Sequence, residues 1–403
     1  MFSPHDQATA SLLDLTSDLN QQFHVDLSKE ALHKRFTPQA VSFMKTLVKE
    51  QLSKQMGACI EGLQGHFRAI HIKDSTKFSL PSDLGGCYQG FGNFSEQNGL
   101  MCLQYEYDLQ GGVWESFDLC NIKTNDQRNS NQTINQLGAE SLYIRDLGYI
   151  TPIYLKAIAA KGAYFLNRLP PQANIYTLDR ERLDWKTIHG KFNKVSCKYI
   201  ERQVLLYAGH HIPCRIVIER VSDQEYQKRL KHAQNSAKSR GVGVSSNHKI
   251  RCRYNVFITN VDAEKLPATQ IRRIYYLRWQ IELVFKTWKS FFRIHKVKNV
   301  KKERLECQLW AKMLWILLNW QFFKTTNHYI NKISPGQGVS VLKFFKRCAQ
   351  FSHSLRAVVL NPIKIFNWLK DIFLPLIENT LCEAPTKKQT HYQVLAQFNN
   401  TLS

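Results

Sequence analysis

The sequence predicts an α/β fold in which a mixed sheet, flanked by helices, forms the core. Two patterns carry that expectation. From Phe67 to Asn121 the chain alternates apolar and polar residues at the period of strands, in "FRAIHIKD", "LMCLQYEYDL" and "VWESFDLCN", with turn-rich "SDLGGCYQGFGNFSEQNG" and "QGG" between them. Short apolar runs and helical ones then alternate as far as Leu169. A third observation sets the scale: 403 residues, 43% of them hydrophobic and 12% aromatic, suffice for two to three domains and one large core.

Taken in order, the elements begin with helical periodicity over 8–62. "SLLDLTSDLNQQF" leads into "SKEALHKRFTPQAVSFMKTLVKEQL", where Ser28 can cap one helix and Thr37-Pro38 can start another. This region is either a DNA-reading helical module or an ordinary helical lobe. The three strands form an antiparallel meander. After them come a helix-like "NQTINQLGAE", the strand "SLYIRD", the helix "TPIYLKAIAAKG" and the strand "AYFLNRL", before Pro170-Pro171 ends the unit. Three strands, helix, strand, helix, strand is the order of the ribonuclease H-like α/β fold. Strand signals dominate 172–260 ("KVSCKYI", "RQVLLYA", "PCRIVIER", "RCRYNVFITN"), so this segment reads as a β-rich insertion. It carries an exposed, partly flexible cationic excursion, "YQKRLKHAQNSAKSRGVGVSSNHKIRCR". Beyond Glu282 the chain reads as mostly helical to about Ile377, with a polar tail from Cys382.

The expected organisation is therefore a helical, DNA-binding 1–66, a ribonuclease H-like core in two parts (67–171 and 261–300) around the insertion 172–260, and a helical 301–403 suited to dimerisation.

Charge narrows the partners. The chain has 55 Lys+Arg against 32 Asp+Glu, a formal +23, and an isoelectric point near 9.6. An excess spread over most of the chain suits an extended polyanion such as nucleic acid. The most apolar stretch, "LWAKMLWILLNWQFF", is short for a bilayer helix and contains Lys312 and Asn319, so it reads as a core helix. "MFSPHDQATASLLDL" lacks the zones of a signal peptide, and the expected compartment is the cytoplasm, at the nucleoid. Ten scattered cysteines without a CxxC read as reduced thiols.

One stretch combines core-like residues with charge: "IYYLRWQIELVFKTWKS", Ile274 to Ser290. On a single helix with Tyr275 at zero, Arg278 falls at about 300°, Glu282 at about 340° and Lys289 at about 320°, one narrow stripe. Ile274, Leu277, Ile281, Val284, Phe285 and Trp288 face elsewhere. A solvated edge with an i, i+4 pair, Arg278–Glu282, would look the same. The spacing, however, resembles the Y-x2-R-x3-E-x6-K motif of bacterial insertion-sequence DDE transposases of the IS-four group, which includes the Tn-five and Tn-ten elements.

Two aspartates stand in contexts similar to that family's other motifs: Asp74 at a predicted strand end in "AIHIKDSTKFSLP", and Asp146 in "SLYIRDLGY". Leu147 departs from the pattern, where arginine is more usual. The resemblance covers about 67–295. It implies a DNA transposase acting as a homodimer on double-stranded DNA, on the inverted repeats at transposon ends and on a target. Asp74, Asp146 and Glu282 would be catalytic and would hold two Mg²⁺ (or Mn²⁺) ions, whose hard oxygen ligands and charge suit in-line displacement at phosphorus. Tyr275, Arg278 and Lys289 would contact DNA-end phosphates, with Arg168 facing the same groove or held in a structural ion pair. Trp185, in "RERLDWKTIHGK", is the candidate for stacking on a flipped base, against the alternative of a core tryptophan.

Asp108, Asp118 and Glu115 on the middle strands read as structural. No G-x-S-x-G elbow supports a serine hydrolase, and "YQGFGNF" is a poor nucleotide loop. The alternatives to a transposase are a catalytically silent, transposase-derived DNA-binding regulator and a same-fold metal-dependent nuclease.

Overall fold

The computed structural model describes residues 10–54, 65–90, 99–121, 126–169, 173–194, 197–334 and 337–351, with short runs between 354 and 397. The N-terminal 1–9, the turn-rich 91–98, Pro170-Pro171 and most of the tail from Cys382 lie outside the described residues.

Among the described residues, nine strands form one mixed sheet: β1 (Ile70–Leu80), β2 (Gly99–Asp108), β3 (Val113–Asn121), β4 (Leu142–Arg145), β5 (Tyr164–Arg168), β6 (Ile175–Tyr176), β7 (Tyr199–Leu206), β8 (Ile212–Arg220) and β9 (Tyr254–Thr259). Their order is β3-β2-β1-β4-β5-β9-β8-β7-β6. β2 and β3 pair antiparallel, β1/β4 and β4/β5 pair parallel, and β9, β8, β7 and β6 follow antiparallel. This is a mixed α/β, ribonuclease H-like arrangement. The strands of the insertion continue the core sheet beyond β5 instead of building a second one.

The chain packs as two compact units, Met1–Leu63 with Asp74–Thr124 and Trp279–Ala396, and Gln64–Lys73 with Asn125–Arg278 and Gln397–Ser403. In the first, α1 (Leu12–Phe23), α2 (Lys29–Arg35) and α3 (Pro38–Ser53) begin at Ser11, Ser28 and Thr37, whose hydroxyls accept N–H groups of the first turn. The long α11 (Lys302–Ile333) lines an aromatic core with Tyr105, Trp114 and Phe117 from β2 and β3. Trp114 and Trp320 lie 5.8 Å apart, and Phe117 meets Trp310 edge-on at 5.5 Å. Among the described residues, no helix is long and apolar enough to cross a membrane.

In the second unit, α5 (Pro152–Ala160) starts at a Thr151 cap with proline in its first turn, and buries Tyr154, Leu155 and Ile158. They join Phe165, Val204, Ile216, Ile218, Val256 and Ile258 in one core. Complete burial of each such side chain contributes about 1.5–3 kcal/mol. Cys214 is a buried thiol here, in no disulfide.

The cationic excursion is largely helical. It forms α7 (Asp223–Lys238) and α8 (Ser246–Arg251), each started by a serine cap. The reason is local: 223–238 holds no glycine or proline and many good helix formers, while Asp223 and Glu225 suit the first turn. The helix stops where Gly241 takes φ +68° and Val242 donates its N–H back to Ala237 at 3.0 Å.

Candidate active site

Asp146 directly follows β4, in extended conformation, and starts a 3-10 turn over Leu147–Tyr149. Leu147 packs against the apolar core, which accounts for an aliphatic residue where the family pattern prefers arginine. At Gly148 a Cβ would sit 3.0 Å from an Asp126 carboxylate oxygen, so a larger residue would need that side chain to shift. Behind it Arg145 is 1% exposed, its guanidinium 4.4 Å from the centroid of Tyr154 and its Nη1 3.0 Å from the Ser130 hydroxyl. Asn167 Nδ2 donates to the Arg145 carbonyl at 2.7 Å, fixing the backbone next to Asp146.

Tyr275 approaches the same carboxylate, its hydroxyl 3.4 Å from Asp146 Oδ1. Burial, helped by the Asp146 charge and opposed by Arg278 and Arg168, pushes its phenol up to about 12, so the hydroxyl stays a donor at neutral pH. Tyr275 lies on α9 (Ala268–Tyr276), which Arg272 ties to β8 through Glu219 at 3.3 Å. Asp146, Tyr275, Arg278 and Arg168 therefore share one neighbourhood in the second unit.

In the first unit, Asp74 follows Lys73 on β1 and accepts the Ser75 N–H at 2.8 Å. Lys73 is in register with Arg145 of β4, so Asp74 and Asp146 each come next after a paired position on neighbouring parallel strands. Glu282 is exposed on α10 (Trp279–Ser290), whose other side buries Ile281, Val284, Phe285 and Trp288. Lys289 ties this helix to β1, donating from Nζ to the Lys77 carbonyl at 3.2 Å, and desolvation lowers its pKa.

The single helix expected over 274–290 is two helices. The N–H groups of Leu277 and Arg278 bond to carbonyls three residues back, those of Ile274 and Tyr275, both at 3.1 Å. Bonding of that kind tightens the turn to about 3.0 residues, so a wheel with 3.6 does not carry across it. The shared edge survives within α10, for Glu282 and Lys289, and not for the whole set. Among the described residues, no three acidic, histidine or cysteine side chains make a ready-formed metal cluster.

The family of transposase DDE domains is matched by residues 66–318. The chain is 33% identical over 332 residues to the transposase for insertion sequence element IS231F of Bacillus thuringiensis subsp. israelensis, covering 77% of this chain and 69% of that one. It is 26% identical over 372 residues to the transposase for IS1151 of Clostridium perfringens, covering 87% and 78%. The chain belongs to the DDE transposase family. It is a DNA transposase, an enzyme of a DNA-binding family that depends on divalent metal, and neither the silent regulator nor the simple nuclease is favoured.

Elsewhere in the transposase, Trp185 opens α6 (Trp185–Lys194) half-buried against the core, with the Arg251 guanidinium 4.8 Å over its ring. That environment argues for packing and against a free stacking platform. Asp108 accepts the N–H groups of Gln110 and Gly111 at 3.0 and 2.7 Å, so it shapes the turn between β2 and β3, as expected of a structural acid. Sequence reasoning passed over Arg145, Asn167 and Glu219. The signal for Arg145 was present: a cation at an inward position of an apolar strand, one residue before the aspartate.

Proposed function

We propose that Asp74, Asp146 and Glu282 are the metal-holding carboxylates of this transposase, for which two Mg²⁺ (or Mn²⁺) ions are the fitting cofactor. The donor chemistry supports this: carboxylates are hard oxygen ligands, which divalent cations of this kind prefer. The ions would supply charge stabilisation to the attacking and leaving oxygens when a phosphodiester is cut or joined. The observation that supports the reading is the pairing of Lys73 with Arg145 on parallel strands, the residues directly before the two aspartates in the chain. Arg278 and Arg168, beside Asp146, and Lys289, on the edge of α10 that carries Glu282, suit phosphates of the transposon end.

A homodimer on paired inverted repeats would place these residues at two ends, with α1–α3 as DNA-contacting helices and the C-terminal helices as the dimer contact. The test is direct. Purified protein with Mg²⁺ should nick or join DNA carrying its element's terminal repeats; metal-independent binding without cleavage would refute the reading.

Helix α7 supports a DNA-backbone contact from the insertion. Lys228, Lys231 and Lys238 lie on one exposed stripe, and the acids of the helix are confined to its first turn. Replacing all three by alanine should lower the salt dependence of end binding by about 0.9 in log–log slope for each phosphate no longer neutralised. Fluorescence anisotropy of an end duplex across a salt series measures it, and an unchanged slope would remove α7 from the DNA path.

A further inference from the structure

The main chain that carries Asp146 is held on both sides. Asn167, from β5, donates to the Arg145 carbonyl at 2.7 Å, and the Tyr149 N–H closes the following turn on the Asp146 carbonyl at 3.1 Å. The Arg145 side chain is buried, and its guanidinium meets three rings. It lies 4.4 Å from the centroid of Tyr154 on α5, 5.8 Å from that of Tyr143 on β4, and 5.9 Å from that of Tyr149, the last residue of the turn. Nη1 donates to the Ser130 hydroxyl of α4 (Asp126–Gln132) at 3.0 Å, and the Thr151 hydroxyl donates to Asn131 of the same helix at 2.8 Å. One planar cation thus meets the strand before Asp146, the turn after it and two neighbouring helices.

We propose that Arg145 is a positioning residue: by ordering these groups it fixes the direction in which the next residue, Asp146, presents its carboxylate to a divalent cation. This rests on the reading of Asp146 as a metal ligand. A guanidinium is costly to remove from water, and an aliphatic side chain of similar length would fill the space without that cost. What the aliphatic chain lacks is a flat, donor-bearing cation around which rings and a hydroxyl can be ordered. Groups that orient a metal ligand are worth about 10–100-fold in metal affinity. The sign of the effect separates this role from a plain field effect. The Arg145 charge by itself repels a nearby divalent cation, so its removal alone would tighten binding, whereas lost positioning weakens it.

The experiment compares Arg145→Met, Arg145→Lys, Ser130→Ala and Asp146→Asn in the full chain. Mn²⁺ affinity is read from the electron paramagnetic resonance of free Mn²⁺, and the urea midpoint of each variant shows that it is folded. Arg145→Met keeps much of the volume and loses the cation; it should weaken Mn²⁺ binding about 10–100-fold and regain most of its cleavage at saturating Mn²⁺. Arg145→Lys keeps a charge near the rings without the planar fork, and should bind Mn²⁺ more tightly than Arg145→Met and more weakly than the parent. Ser130→Ala removes one hydroxyl and should weaken Mn²⁺ binding by a smaller factor.

Unchanged or tighter Mn²⁺ binding in folded Arg145→Met would overturn the proposal whatever its urea midpoint, because a role in packing alone moves the midpoint and leaves the metal affinity of the folded protein where it was. Should Arg145→Met not fold, Arg145→Lys and Ser130→Ala decide, and parental Mn²⁺ affinity in both overturns the proposal. Asp146→Asn separates the two readings. If it leaves Mn²⁺ binding intact, the metal-site reading itself fails. If it loses Mn²⁺ while the Arg145 and Ser130 variants do not, only the role given to Arg145 fails.

Discussion

Glu282→Ala is expected to abolish cleavage and joining of transposon ends in Mg²⁺ while leaving binding to those ends within a few-fold of the parent protein. The side chain is exposed on α10, and the helix is held by its opposite face, so truncation removes a carboxylate without removing packing. Losing one ligand of a metal site forfeits several kcal/mol of transition-state charge stabilisation, a rate loss of about three orders of magnitude or more. Single-turnover cleavage of a labelled end duplex gives the rate, and gel shift gives the binding. Cleavage within tenfold of the parent would remove Glu282 from the site. Glu282→Gln is the sharper companion, since it keeps the shape and loses the charge; it should fail as badly.

The second large effect concerns what holds that helix. Trp288 is fully buried, its ring 4.9 Å from Tyr105, 5.2 Å from Trp114 and 5.6 Å from Phe285. Trp288→Ala should cost about 3–5 kcal/mol, the forfeited transfer energy plus that of the cavity left behind. The destabilisation shows as a lower urea midpoint, and cleavage should fall even where the protein is still folded, because the cavity loosens the seat of Glu282. Trp288→Phe should be far milder. Among the described residues its buried indole N–H has no hydrogen-bond partner, and an unmet donor costs about 1–3 kcal/mol, so the smaller ring regains part of what it loses. Equal destabilisation by the two variants would mean that the cluster does not seat α10.

The candidate aspartates and the antiparallel pairing of β2 with β3 were legible because strands declare themselves by alternation, although Asp74 lies within β1, which runs on to Leu80, and not at a strand end as the sequence suggests. Glu282 was singled out by spacing alone. The break at Leu277–Arg278 was not, since the apolar period of 3.6 runs through it with no glycine or proline to mark it. Helix α7 was hidden by its charge: a run of cations looks solvated whether or not it is helical. Burial of Tyr275 depends on Phe257 and on a clamp to Glu219, partners distant in sequence that no local pattern reveals.

The break between α9 and α10 also divides the signature into two halves. It falls where the chain passes from one compact unit to the other, so Tyr275 and Arg278 belong with Asp146, and Glu282 and Lys289 with the segment that begins at Asp74. Each half is moored separately, one by an ion pair to the buried Glu219 of β8 and the other by a bed of aromatic rings. What the four residues share is a measured span of covalent chain between two moorings.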